Sequence, residues 1–320
     1  MGSSYIPGLY CPPAHPADRN KADDINKRLT HWLEHDLGVT ESFMDADPGR
    51  GAVLYHPDAA GTEHLLAAAM LLVAENVVDD YICETEHGGT HERRGALLVL
   101  CQAAVDPPAL PPAYMTGWTS TLSQCAPVKA MHSAMRHFSA IATPQQRHRL
   151  RQDLCDLYLG YAGEGDYGTR HHTPPVWEYL IQRQFNNFRP CLTITDAIGG
   201  YELPAEVFAD PAVQYATALA CNVTTACNDL YSLRKELASE RFHYSLPTVI
   251  AAEEGCSITD AFARAVRIHN ELLLMFEEQA RILAPTDAVL ARFLAGLMNW
   301  VTGNHEWHAG LVGRRYATAP

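Results

Sequence analysis

The sequence lacks the features that mark several large classes of protein. No uninterrupted apolar run reaches the ~18 residues that a membrane-spanning helix needs, and residues 1–20 are Pro-rich without an apolar signal-peptide core. There is no long basic run, and the formal net charge is −13, which argues against binding to the phosphate backbone of nucleic acids. We therefore expect a cytoplasmic protein with no membrane span and no nucleic-acid partner.

Common zinc and redox motifs are also missing. The nine cysteines lie far apart and include no CxxC pair, and the sixteen histidines include no HExxH pattern. A zinc ribbon or a thioredoxin-like site is therefore not predicted. Most of the cysteines stand in apolar stretches, where we interpret them as small core residues.

No alternating strand pattern and no internal repeat is visible, whereas apolar residues recur at helical spacing through most of the chain. The hydrophobic content of 47% in 320 residues allows a substantial core. The pattern predicts an all-α fold of about ten to twelve helices. Residues 1–20 are predicted to form an extended arm, and residues 21–320 a single domain.

Three local patterns are relevant to a possible site. A helix is predicted over residues 64–83 with Thr62 as its cap, and a second begins at Asp210-Pro211 and runs to about residue 240. Between them, the glycines, charges and histidines of residues 160–173 predict a loop. Each of the two helices ends in an acidic cluster.

The second acidic cluster contains Asn228, Ser232 and Glu236, spaced four residues apart. This spacing drifts only ~40° per step on an α-helix, so the three side chains point from one face. An amide, a hydroxyl and a carboxylate are the oxygen ligands that suit Mg²⁺. The neighbouring Lys235 could reach a phosphate as a point charge. The alternative interpretation is a solvated polar face near a helix end.

The first acidic cluster is Asp79-Asp80-Tyr81-Ile82-Cys83-Glu84. The adjacent carboxylates of Asp79 and Asp80 point ~100° apart on a helix, so one could bind metal while the other pairs with a cation. Carboxylates at a helix C-terminus are disfavoured by the helix dipole, so a metal or an arginine is needed to compensate. The alternative is an ordinary polar helix end.

Together the two clusters resemble the metal motifs of class I terpene synthases. The first resembles the aspartate-rich motif of that family, and the second fills every position of its ND-L-x-S-xx-KE motif. Arg183, 45 residues before Asn228, and the pair Arg315-Tyr316 near the end of the chain also stand where the family has diphosphate-binding residues. The resemblance implies an α-helical bundle around a central active-site cavity. The aromatic residues that we expect as candidate walls of this cavity are Phe185, Trp300, Trp307, Tyr179 and Tyr316.

The resemblance also implies a role for each of these residues. Mg²⁺, as three ions, is the implied cofactor, and an isoprenoid diphosphate and the diphosphate product are the implied partners. The implied metal ligands are Asp79, Asp80, Glu84, Asn228, Ser232 and Glu236, and the implied diphosphate ligands are Arg183, Lys235, Arg315 and Tyr316. Asp80 would pair with Arg315 in the closed site. Asn186 and Asn187 correspond to a helix break whose backbone carbonyl helps to trigger ionisation.

A narrower resemblance links four further stretches, residues 9–13, 175–180, 199–204 and 246–256, to bacterial 2-methylisoborneol synthases and the related 2-methylenebornane type. It implies a substrate one methyl longer than geranyl diphosphate, 2-methylgeranyl diphosphate. The sequence leaves open whether water or a base ends the reaction. It also leaves open whether Glu84 binds metal directly, whether Arg314 or Arg315 contacts diphosphate, what the N-terminal arm does, and whether the chain is a homodimer, as is common in the family.

Two alternative functions follow from the same sequence. Another terpene synthase, acting on geranyl or farnesyl diphosphate, would carry the same metal motifs around a cavity of different volume. A chain-elongating prenyltransferase fits less well, because such enzymes usually carry two DDxxD-like motifs. A non-catalytic helical scaffold would explain the helices and the acidity. It would not require the row of Asn228, Ser232 and Glu236 to occur together with Arg183 and Arg315-Tyr316.

Overall fold

The computed structural model describes residues 5–39, 42–83, 91–170, 173–238 and 244–311. In these ranges the chain forms fifteen α-helices and no strand. The helices are α1 Arg19–His31, α2 Pro48–Tyr55, α3 Thr62–Val78, α4 His91–Val105, α5 Met115–Gln124, α6 Ala126–Ser139, α7 Pro144–Arg170, α8 Val176–Phe185, α9 Arg189–Thr193, α10 Thr195–Ile198, α11 Ala205–Phe208, α12 Pro211–Leu237, α13 Leu246–Glu254, α14 Ile258–Leu283 and α15 Ala288–Leu311. The predicted all-α fold is confirmed, and the larger number of helices comes from short ones such as α9 to α11.

Helix α3 lies at the centre of the bundle. Almost every residue from Leu65 to Val78 is buried, so α3 is covered on all sides, as a helix that is apolar all round requires. It packs against α1, α2 and α6. On the other side of the bundle, α12 packs against α14 and α15 around a second apolar cluster. None of the described helices is both long and apolar enough to cross a bilayer.

The sequence predicted the start of α12 correctly and the start of α3 incorrectly. The Asp210 side chain accepts a hydrogen bond from the Ala212 amide and caps α12, whose first residue is Pro211, as predicted. The predicted cap at Thr62 is wrong, because Thr62 is already helical and Gly61 occupies the cap position without a side-chain hydrogen bond.

The loop predicted over residues 160–173 is also wrong, because α7 continues to Arg170. Gly160, one of the glycines that suggested a loop, allows close packing of two helices instead. A Cβ atom at Gly160 would lie 2.6 Å from the backbone nitrogen of Asn186, so only glycine allows α7 to approach the end of α8 this closely. Residues 171 and 172 lie outside the described ranges.

The N-terminal arm packs across α14 and α15. The Tyr10 amide donates to Asn270 Oδ1 over 2.9 Å, and Asn270 Nδ2 donates to the Gly8 carbonyl over 2.9 Å. Tyr5 donates its hydroxyl to Glu306 Oε2 over 2.7 Å, and Ile6 is buried. The part of the arm from Tyr5 to Tyr10 is therefore hydrogen-bonded to the helices that flank α12. The division into an arm and a single domain stays a prediction.

Candidate active site

The second acidic cluster lies on one unbroken helix, α12. Ser232 Oγ donates to Glu236 Oε1 over 2.5 Å, and Asn228 stands one turn earlier on the same face. Ser232 is buried, whereas Asn228 and Glu236 are half-buried. Lys235 is exposed beside this row, and its contact with a phosphate stays a prediction. The face of α12 thus presents an amide, a hydroxyl and a carboxylate in sequence.

Glu236 is the electrostatically unusual member of the row. Burial raises the pKa of its carboxyl to about 7, and the nearby charge of Asp229 adds to this effect, while the hydroxyls of Ser232 and Ser245 and the Arg183 guanidinium partly offset it. Its Oε2 atom is buried and has no hydrogen-bond partner among the described residues. A buried carboxylate oxygen without a partner fits a divalent cation. The donor set of this row therefore suits Mg²⁺.

The first acidic cluster stands where α3 changes its winding. Regular α-helix ends at Val78, and Asp79–Cys83 forms a single π-helical turn, a feature that is frequent at functional sites. Arg94 of α4 donates to the Cys83 carbonyl over 2.5 Å and to the Tyr161 carbonyl over 3.3 Å. The buried guanidinium of Arg94 therefore supplies a positive charge at this helix end, where adjacent carboxylates are otherwise disfavoured.

A short chain of neighbouring groups on α7 and α8 connects the two acidic clusters. Burial raises the pKa of Tyr161 on α7, and the charges of Asp79 and Glu164 raise it further. Glu164, one turn later, accepts a hydrogen bond from Asn186 Nδ2 over 3.2 Å. Its negative charge also raises the pKa of the Arg183 guanidinium. The two clusters therefore belong to one polar region of the bundle.

Arg183 forms the centre of this region. Its Nη2 atom donates to Asp229 Oδ1 over 3.1 Å, which links α8 to α12. Burial lowers the pKa of Arg183. Electrostatic interactions with Tyr179, Asp229 and Glu164 have the larger effect and raise the pKa above its ordinary value. Arg183 is therefore a permanent cation at neutral pH, held next to the proposed metal row.

A sharp break separates α8 from α9. Asn187 Nδ2 donates to the carbonyls of Arg183 (2.9 Å) and Gln184 (2.7 Å), and its Oδ1 accepts the Arg189 amide over 2.7 Å. The Asn187 side chain thus satisfies backbone groups on both sides of the break. Its predicted role in ionisation stays a prediction.

The rings of Trp300 on α15, Tyr55 on α2 and Phe188 in the break between α8 and α9 lie next to one another, and we call them the aromatic wall. Trp300 stacks on Tyr55 with 4.0 Å between ring centroids and lies 5.9 Å from the Phe188 ring. Its Nε1 donates to His56 Nε2 over 3.3 Å. One turn along α15, the buried Asn304 has both side-chain amide atoms unpaired within the described part of the chain. The wall is therefore mostly aromatic, with one polar position.

Of the aromatic residues that the sequence suggested as cavity walls, Trp300 is buried among other rings. Phe185 is wrong in that role, because it is 36% exposed beside a surface groove. Tyr55 and Phe188 were missed, since nothing in the local pattern distinguishes them from core residues. Glu84, Arg314, Arg315 and Tyr316 lie outside the described residues.

The family profile described as Terpene synthase family 2, C-terminal metal binding, matches residues 71–273. The chain belongs to this terpene synthase family. The matched span contains both acidic clusters, Arg183 and the break after α8. Membership makes the chain an enzyme of the terpene cyclase type and confirms the resemblance to terpene synthases that its motifs indicated.

Among the relatives of this terpene synthase, the 2-methylisoborneol synthase of Streptomyces griseus is 46% identical over 310 residues, which are 95% of this chain and 71% of the relative. The crystal structure of 2-methylisoborneol synthase from Streptomyces coelicolor A3(2) in complex with Mg²⁺ and 2-fluoroneryl diphosphate has a TM-score of 0.95 and 43% identity, and the match covers 99% of this chain and 98% of that one. A complex of the same enzyme with Mg²⁺ and geranyl-S-thiolodiphosphate has a TM-score of 0.93. The shared fold thus extends over the described chain.

Proposed function

We propose that this terpene synthase is a Mg²⁺-dependent cyclase that ionises 2-methylgeranyl diphosphate and closes the resulting cation to a methylated bornane-type monoterpenoid, 2-methylisoborneol or 2-methylenebornane, with release of diphosphate. The observation that carries the chemistry is the α12 row, in which Glu236 Oε2 is buried without a described partner. The substrate rests on the 46% identity with the 2-methylisoborneol synthase of Streptomyces griseus.

The chain's own residues would divide the binding work between two ends of the site. Asn228, Ser232 and Glu236 on α12, and Asp79 with Asp80 at the end of α3, would hold Mg²⁺, proposed as three ions. When bound, Mg²⁺ would stabilise the negative charge that develops on the departing diphosphate. Glu84 is retained as a proposed ligand from the sequence.

The diphosphate would be held by Arg183 together with Lys235 and the C-terminal pair Arg315-Tyr316. Arg183 is suited to this role because its ion pair with Asp229 already fixes the guanidinium, so little order is lost when an anion arrives. The break containing Asn187 lies directly after Arg183 and would place a backbone carbonyl near the ionising bond. The Asn187 side chain holds that backbone in place.

The hydrocarbon chain would be enclosed by aromatic rings that exclude water. Trp300, Tyr55 and Phe188 offer ring faces that stabilise a nearby carbocation electrostatically. The trans geometry of a geranyl-type double bond keeps the two ends of the chain apart and prevents direct ring closure. Diphosphate must therefore return to the tertiary carbon, which turns this double bond into a single bond that can rotate. The chain then ionises again. Two ring closures then give a bornyl-type cation. Capture of a water molecule with loss of a proton gives the alcohol, and loss of a proton alone gives the alkene.

The test is incubation of the purified protein with Mg²⁺ and, separately, geranyl, 2-methylgeranyl and farnesyl diphosphates, with products read by gas chromatography–mass spectrometry. A bicyclic product with one extra methyl, formed mainly from 2-methylgeranyl diphosphate, supports the proposal. Products from farnesyl diphosphate alone would refute the assigned substrate while retaining the family.

A binding measurement complements the product analysis. Inorganic diphosphate with Mg²⁺ should raise the melting temperature of the wild type, because a ligand that binds only the folded state stabilises it. Asn228→Ala should abolish this increase. A wild type that neither turns over any of the substrates nor gains stability would instead favour the helical scaffold. Cytoplasmic localisation and assembly as a homodimer stay predictions from the sequence.

A further inference from the structure

A buried histidine on α15 contacts the first member of the proposed metal row. His308 Nε2 lies 3.1 Å from Asn228 Nδ2, and His308 Nδ1 lies 2.8 Å from the Asn304 carbonyl oxygen of its own helix. The ring is fully buried. Neither the sequence motifs nor the family resemblance pointed to this residue. Each ring nitrogen thus has a defined neighbour.

The two contacts determine which nitrogen carries the proton. A backbone carbonyl only accepts hydrogen bonds, so Nδ1 of His308 must be the N–H that donates to Asn304. In the neutral ring Nε2 is then unprotonated and presents a lone pair. That lone pair accepts a hydrogen bond from the amide nitrogen of Asn228.

The orientation of the Asn228 amide follows from this tautomer. Turning the amide over would place Oδ1 against the Nε2 lone pair, which is repulsive, and would direct the NH₂ group away from the histidine. With Nδ2 fixed on His308, the metal-ligating atom Oδ1 is held on the opposite side of the amide. A carbonyl oxygen binds Mg²⁺, whereas an NH₂ group does not.

The histidine is itself held in place by rings. His308 lies 5.6 Å from the Tyr231 ring, with 31° between the planes, and 4.7 Å from the Trp307 ring, which meets it edge-on. A packed ring that cannot rotate is what an orienting group requires.

We propose that His308 is a positioning residue that fixes the Asn228 carboxamide with Oδ1 available to Mg²⁺. The inference rests on the proposed function, because it assigns a metal to Asn228. It extends that function by placing an organising group on α15, a helix outside both acidic motifs.

The experiment measures the Mg²⁺ concentration that half-saturates binding of inorganic diphosphate, by calorimetric titration. His308→Phe retains a ring next to Tyr231 but removes the acceptor, and it should raise this concentration about 10- to 100-fold, the range found for groups that orient metal ligands. His308→Gln can place an oxygen near the position of Nε2, and it should restore the wild-type value to within about threefold. If His308→Phe does not fold, His308→Met replaces it in the same titration.

His305→Phe is the matched control. His305 stands on the same helix and lies 3.4 Å from the Tyr231 hydroxyl, but its ring makes no described contact with Asn228. Its substitution should leave the Mg²⁺ requirement unchanged. Equal impairment in His308→Phe and His308→Gln would overturn the proposal, because loss of packing rather than loss of the acceptor would then be the cause.

A second background isolates the orientation effect. In Asn228→Asp either orientation presents an oxygen to Mg²⁺, while the other oxygen meets the Nε2 lone pair, so His308 no longer helps to position the ligand. Adding His308→Phe should therefore cost less than threefold in this background. A cycle in which the two substitutions simply add would overturn the proposal. A wild type that shows no Mg²⁺-dependent diphosphate binding would refute the proposed function as well. A wild type that binds, with His308→Phe unchanged, would refute only the role of His308.

Discussion

Arg183 and Asp229 form an ion pair, with 3.1 Å between Nη2 and Oδ1, that joins α8 to α12. The other oxygen of Asp229 accepts a hydrogen bond from the Tyr179 hydroxyl and one from the Leu246 amide, the latter over 3.0 Å. One buried carboxylate therefore fixes the proposed diphosphate-binding arginine, a tyrosine of α8 and the start of α13. Because Asp229 directly follows Asn228, the same turn of α12 carries a proposed metal ligand and the anchor of the arginine.

Asp229→Asn should destabilise the metal-free protein by about 3 kcal/mol, because the buried arginine loses its counter-charge. Chemical denaturation in the absence of Mg²⁺ measures this loss. The control is Asp210→Asn at the start of the same helix, where Asn caps as well as Asp does and little change is expected. Equal stability of the two variants would contradict the central role of Asp229.

Mg²⁺-dependent binding of inorganic diphosphate should weaken below about pH 7 through Glu236. Burial first, and then the charge of Asp229, raise the pKa of this carboxyl to about 7, so at lower pH it must release a proton before it can bind a cation. Protonation of Glu236 should lower the apparent Mg²⁺ affinity about tenfold for each pH unit below this pKa. Calorimetry from pH 5.5 to 8 measures the slope.

Glu236→Gln is the comparison for that titration. Gln cannot lose a proton, so the variant should bind Mg²⁺ more weakly at pH 8 and keep only the pH dependence that comes from diphosphate itself. An identical slope in the wild type and the variant would show that Glu236 does not couple to the metal.

Gly160→Ala should lower activity and stability together, because the added methyl would meet Asn186 N at 2.6 Å and Phe185 C at 2.7 Å. The backbone after Arg183 would have to move, at a cost of about 1–3 kcal/mol. The matched control is Gly95→Ala on α4, where a Cβ meets no atom within 4 Å and a gain of about 0.4–1 kcal/mol is expected. Thermal melting and turnover of both variants test the contrast, and a tolerated Gly160→Ala would refute the close approach.

Glu75 on α3 should make the stability of the protein fall as pH rises. Burial raises its pKa to about 8, and the charge of Asp153 adds to this, although a hydrogen bond from Cys191 lowers it. The pKa of this carboxyl is higher in the folded protein, at about 8, than in the unfolded chain, at about 4.5. Its contribution to the free energy of unfolding is therefore largest below pH 4.5, and it is lost as pH rises through 8. Glu75→Gln should remove on the order of 3 kcal/mol of this loss between pH 6 and 9.

Denaturation of wild type and Glu75→Gln at pH 6 and pH 9 measures this difference. The exposed Glu206→Gln on α11 is the control and should leave the pH dependence as it is in the wild type. A wild-type profile that is flat over this range would show that Glu75 is ionised in the folded protein.

Local sequence predicted the parts of the fold that depend on residues close in the chain. The spacing of Asn228, Ser232 and Glu236 predicts one helical face, and Asp210-Pro211 predicts the start of α12, because capping and periodicity act within a few residues. The same local rules gave a loop at Gly160, where the structure has helix. There the deciding contact is with Asn186, which sequence periodicity does not contain.

The sequence by itself determined the helical class, the family and the chemical character of the proposed ligands, since side-chain type and spacing are properties of the chain alone. Tertiary structure decided which groups surround those ligands. Arg94 reaches the end of the aspartate cluster, His308 contacts Asn228, and Phe188 joins the aromatic wall, each through packing of helices distant in the chain. The pKa of Glu236 belongs to the same category, because burial and the charge of Asp229 exist only once α12 is enclosed.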